Sequence, residues 1–137
     1  MKPPREQSKT WKRRLPAALL IVYWGSLFVG THMPIPKMGG QPRHLDKLMH
    51  FGAYAGLSFL LGLWWSGGRR LNRPLALKVF AVTAAYAVVD ELLQTIPFVH
   101  RQGDVLDFLA DCLGSLIGLA AFAFWQAMLR RKSDDRE

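Results

Sequence analysis

The fold turns on "RQGDVLDFLADCLG", residues 101–114, which runs into "SLIGLAAFAFWQAML", residues 115–129. The first stretch carries Asp104, Asp107 and Asp111, three and four residues apart. From Cys112 to Leu129 there is no charged residue. A hydrocarbon core about 30 Å thick takes about 20 mostly apolar helical residues. The segment therefore reads as a membrane span with carboxylates at its mouth. At this spacing the three acids share one helix face. Gly114 and Gly118 continue that face, and small residues four apart let another helix approach closely. The acidic stripe is thus expected to point at other helices and not at lipid.

Working outward, three further segments have the same character: Leu15–Met33, Leu48–Trp65 and Pro74–Ile96. Pro16 is expected in the first turn of its span, where a missing N–H costs little. Pro34, Pro36 and Pro97 mark ends. The first span follows a basic stretch, but its apolar part is long and no small-x-small cleavage site follows. It is read as a retained span and not a signal peptide. The expected fold class is all-α: a polytopic membrane protein, a four-transmembrane-helix bundle with short loops. Residues 1–14 form a basic tail, 15–129 the transmembrane domain and 130–137 a polar tail. Residues 1–10 and 133–137 are expected to lack order.

A length of 137 residues suits one domain. The single cysteine, Cys112, excludes an internal disulfide and is expected to be a small buried hydrophobe. A net charge of +8 would suit nucleic acid. However, the Lys and Arg residues flank the apolar runs, and no zinc-finger or helix-turn-helix spacing appears, so nucleic acid is not an expected partner. Of the 18 Lys and Arg, all but Lys37, Arg43, Lys47 and Arg101 fall on one side of the four-span topology. The positive-inside rule then puts both termini in the cytoplasm, with the lipid bilayer around the spans.

That topology gathers the polar residues on the far side. His32, His44, His50 and His100 fall there, with Asp46, Asp90, Glu91, Asp104, Asp107 and Asp111. Asp46 and His50 share a face of the second span, beside Lys47. On the third, Asp90 and Gln94 are four apart and Glu91 and Gln94 three apart, with Thr83 and Tyr86 extending that face. His50 stands nineteen residues from Arg69, and Asp111 nineteen from Arg130. At 1.5 Å per residue both separations are about 28 Å, so these groups share one layer. Carboxylates at that depth are costly unless paired, protonated or bound to a cation.

Three blocks, "DKLMH" (46–50), "DELLQ" (90–94) and "RQGDVLDFLADCLG", resemble the signature of the VanZ-like family. These are small bacterial membrane proteins named after a teicoplanin-resistance accessory protein. Asp46, Lys47 and His50 match its first block, Glu91 and Gln94 its second, and Arg101, Asp104, Asp107 and Gly114 its third. Where the family usually has Asn, this chain has Asp111. An amide can donate a hydrogen bond; an ionised carboxylate only accepts. The resemblance implies this fold, a place in the bacterial inner membrane and a cell-envelope role, with antibiotic resistance as the association of the family's namesake, but no reaction.

Four readings of the polar layer stay open. It can be a structural lock. It can be a binding site for an envelope lipid headgroup or glycopeptide, with Lys47 and Arg101 holding phosphate or carboxylate and Asp46, Glu91, Gln94, Asp104, Asp107 and Asp111 holding amines or hydroxyls. It can be an enzyme, with His50 as general base oriented by Asp46 and with Glu91 or Asp107 as acid or metal ligand. It can be a proton or ion relay. No HExxH or Cys-rich spacing is present, so neither a metal nor a cofactor is assigned.

Overall fold

A computed structural model describes residues 4–32, 43–96 and 104–135, with side chains from Arg14 in the first helix and Leu45 in the second. These residues form four helices: α1 (Pro4–His32), α2 (Arg43–Ser66), α3 (Arg73–Gln94) and α4 (Val105–Asp134). No strand occurs among the described residues. α1, α2 and α4 are long and apolar enough to cross a membrane. α3 carries Lys78, Asp90 and Glu91 and does not meet the same standard.

Two helix limits differ from the sequence reading. α1 starts at Pro4, so Pro16 lies inside the helix and not in its first turn. The residues before it (Glu6, Gln7, Lys9, Lys12, Arg13) are good helix formers, and they carry the helix across the boundary drawn at residue 14. α4 likewise continues to Asp134, with the Asp135 N–H on the Arg131 carbonyl, where an unordered tail was expected.

Buried and exposed residues sort in reverse of a water-soluble bundle. Outward-facing positions include Ile21, Val22, Leu48, Leu77, Leu92, Leu116 and Phe124, all at least half exposed. The interior holds Tyr54, Leu57, Leu61, Val79 and Phe122, but also His50, Ser58, Thr83, Asp90, Gln94, Asp107, Asp111 and Ser115. An apolar exterior of this extent calls for an apolar surrounding.

α2 and α4 form the broadest contact. Their backbones meet because α4 has glycine where they cross. A Cβ on Gly114 would strike the Phe51 carbonyl, and one on Gly118 the Ala55 carbonyl and Ser58. The expected close approach through "GSLIG" is therefore realised. "GAYAG" divides: Gly56 makes room for Tyr23 of α1, while Gly52 faces open space.

At one end, the α2–α3 turn uses Gly67 and Gly68 at positive φ (54° and 85°), as tight turns require. Asn72 caps α3 by accepting from the Leu75 N–H. Gln126 of α4 accepts from the Leu71 N–H at 2.9 Å and donates to the Arg69 carbonyl at 2.8 Å. Arg69, Arg70 and Lys78 cluster here, with Lys78 over the Trp65 ring. The opposite end holds the C-termini of α1 and α3 and the N-termini of α2 and α4. That is where the acids are.

Candidate functional site

Two helix N-termini at the polar end supply the local reason for its acids. Unpaired N–H groups and the helix dipole favour carboxylates there. Asp46 lies in the first turn of α2 and Asp107 in that of α4. Asp104 caps α4, its Oδ1 accepting from the Leu106 N–H at 2.9 Å. Its other oxygen takes Lys47 at 2.7 Å. Lys47 also donates to Asp107 Oδ1 at 2.8 Å. The backbone N–H of Asp104 in turn donates to Glu91 Oε2 of α3 at 2.8 Å.

One turn deeper, His50 Nδ1 lies 3.1 Å from Asp111 Oδ1. Both are buried, at 3% and 0% exposure. α2 thus offers Lys47 and His50 at helical spacing to Asp104, Asp107 and Asp111 on α4, and the glycine crossing beneath holds the two faces in register. Asp46 was expected to orient His50; Asp111, reaching in from α4, holds the Nδ1 position instead. Asp46 keeps an oxygen within 4.8 Å of a His50 nitrogen and an Asp107 oxygen.

Several buried atoms in this cluster have no hydrogen-bond partner among the described residues: His50 Nε2, Glu91 Oε1, Asp111 Oδ2, the Tyr54 hydroxyl and Ser115 Oγ. Such atoms are few in native structures, and each asks for an explanation.

A second cluster joins α1 to α3. The buried Asp90 accepts from Thr31 Oγ1 at 2.9 Å and from Gln94 Nε2 at 3.2 Å. His32 Nδ1 lies 3.7 Å from the same carboxylate. Among the described residues Gln94, a predicted site residue, donates to Asp90 and makes no hydrogen bond to the α2–α4 cluster. Thr31 and Asp90 were not among the predicted site residues, although the four-residue spacing of Asp90 and Gln94 had been visible. Arg101 lies outside the described residues, as does the side chain of His44. Cys112 is a free thiol and is half-buried, less enclosed than expected.

Two grooves reach the polar layer. One of about 120 Å³ between α1 and α2 is lined by Leu27, Thr31, Asp46, Met49, His50 and Ala53. One of about 240 Å³ between α3 and α4 is walled by Val88, Leu92, Val105 and Phe108, with Glu91 and Asp104 in its lining.

The geometry defines a class: a small helical membrane protein with an ionisable cluster buried between helices at one end. Within that class the chain belongs to the VanZ/LLP1 family, whose pattern matches residues 3–126. No curated protein and no solved structure shows a significant match.

Proposed function

We propose that this chain is a four-span protein of the bacterial cytoplasmic membrane, with both termini in the cytoplasm. Its polar cluster then lies at the periplasmic face and binds, or acts on, an amphiphilic envelope component such as a lipid headgroup or glycopeptide. Three features support the topology. Leu77, Val88, Val89 and Leu92 give α3 an exposed apolar side despite its charges. Its buried Asp90 and its Glu91 lie at the polar end, where charge is cheapest for a span. The Lys and Arg excess lies at the other end.

The observation that carries the function is the set of unpartnered buried atoms on His50, Glu91 and Asp111. Intramembrane ionisable groups left unsatisfied mark functional sites more readily than structural ones. The apolar walls of the α3–α4 groove, with Glu91 and Asp104 in its lining, suit an acyl chain carrying a polar head. Lys47 is already committed to Asp104 and Asp107. The described site is therefore better matched to an amine or hydroxyl than to a bare phosphate.

A second reading has its own support. His50 has one ring nitrogen on a carboxylate and the other unpartnered, the arrangement of an oriented general base. Photo-crosslinking with a bifunctional lipid in native membranes tests the binding reading. Glu91→Gln and His50→Gln should accumulate normally while crosslinking drops at least about tenfold, one contact's worth of ligand energy. Wild-type crosslinking in both variants at full abundance would sink it.

A further inference from the structure

His50 of α2, Glu91 of α3 and Asp111 of α4 each bring one nitrogen or oxygen within 4.8 Å of the other two. Three helices contribute one group each, so no spacing along the chain could announce the set. The His50 Nδ1 to Asp111 Oδ1 distance of 3.1 Å suits a hydrogen bond. It equally suits neighbouring ligands of one ion, since bonds of about 2.1 Å place such atoms about 3.0 Å apart at octahedral angles and about 3.4 Å at tetrahedral ones. Glu91 Oε1, Asp111 Oδ2 and His50 Nε2 have no partner among the described residues, and His50 and Asp111 are more than nine-tenths buried. Two carboxylates and a neutral imidazole sum to two negative charges, and a divalent cation cancels them.

We infer that His50, Glu91 and Asp111 form a binding site for a divalent transition-metal cation. One imidazole with two carboxylates matches Zn²⁺ or Mn²⁺ better than the all-oxygen preference of Ca²⁺ or Mg²⁺. The neighbouring trio Asp46, His50 and Asp107 is also within 4.8 Å. However, Asp107 already holds the Lys47 ammonium, which repels a second cation. Three protein ligands leave a coordination position open for water or for an oxygen of a bound headgroup. This gives the acid-rich pocket a way to hold a hydroxyl or phosphate oxygen while Lys47 stays with its own acids. The inference rests on the reading above in treating this pocket as a ligand site.

The test uses the full chain purified in detergent without a histidine tag. The protein is stripped with EDTA, loaded separately with Zn²⁺ and Mn²⁺, desalted and assayed for bound metal. About one tightly bound ion per chain is expected for at least one of the two metals. Glu91→Gln and Asp111→Asn, both close in shape to the originals, should each weaken binding at least about tenfold. A His44→Ala/His100→Ala double variant should bind as wild type. Failure of the wild type to retain either metal overturns the inference. So does undiminished binding in both carboxylate variants, or loss of binding in the double variant alone. Circular dichroism identifies any variant that misfolds, and the wild-type stoichiometry with the remaining variant then decides. Lipid crosslinking with and without EDTA separates the two proposals. No metal with intact crosslinking ends the cation site and spares the headgroup site; bound metal without crosslinking does the opposite.

Discussion

Around Asp90 both carboxylate oxygens are occupied, one by Thr31 and the other by Gln94. Around Asp111, at the same end of the bundle, one oxygen meets His50 and the other meets nothing among the described residues. Both acids are fully buried. Burial alone therefore does not separate the two clusters; completion does. A buried acid with its hydrogen bonds made joins α1 to α3 and needs no ligand. A buried acid left incomplete, beside an incomplete His50 and Glu91, carries a standing cost that a ligand can offset. The lock reading fits Asp90, and the proposed site falls on His50, Glu91 and Asp111.

The comparison breaks most sharply at the glycine crossing. Gly118→Leu drives a side chain into the Ala55 carbonyl and Ser58. It should cost about 3 kcal/mol or more, because backbone must move. It should also separate His50 from Asp111 while leaving Thr31 on Asp90. Thermal unfolding in detergent gives the first, and loss of crosslinking at the α2–α4 cluster the second. Persistence of crosslinking would show that the site does not need this seam.

Next in size is Asp90→Leu, which takes the acceptor from Gln94 Nε2 and breaks the α1–α3 bond of Thr31 Oγ1, leaving that hydroxyl to groups of its own helix. A loss of about 1–3 kcal/mol is expected, with ligand binding kept. Loss of binding at full folded abundance would merge the two clusters into one site. Smaller again are the effects of Glu91→Gln and Asp111→Asn. Removing an incompletely paired buried charge should change stability by no more than about 1 kcal/mol in either direction, while ligand binding falls. A loss of several kcal/mol would return both residues to the lock. Gly52→Ala sets the baseline. Its Cβ meets nothing within 4 Å, so a gain of about 0.5–1 kcal/mol from helix propensity is expected. A loss would mean that this face of α2 is covered.

Much of this was readable beforehand, for identifiable reasons. The uncharged run after Asp111 announced α4 as a span, and helical spacing put Asp104, Asp107, Asp111, Gly114 and Gly118 on one face that does meet α2. The depth estimate brought His50 and Asp111 to one level, and they touch. Pairing across helices was not readable. Helical spacing put Asp46 with His50, yet the face of α2 that carries His50 is met by α4, and Asp111 reaches the ring first. Gln94 was grouped with Glu91 by its block, but a side chain three residues on had a closer match four residues back in Asp90. The reach of α1 to Pro4 was missed because proline was taken as a start signal. Proline costs one hydrogen bond and a local kink, which a long helix can absorb.

Asp104 has a consequence beyond holding Lys47. Its backbone N–H, at the cap just before α4, sits on one oxygen of Glu91, and the other oxygen of that same carboxylate has no partner among the described residues. Whatever takes hold of Glu91 pulls on the carboxylate that anchors the beginning of α4. The cap and first turn of that helix also carry the two acids that grip Lys47 on α2. Occupancy would then be felt as a change of tension along two helices at once. The proposed pocket is thereby tied to the packing of α2 against α4, and a ligand there would bear on the seam as well as on the carboxylate it touches.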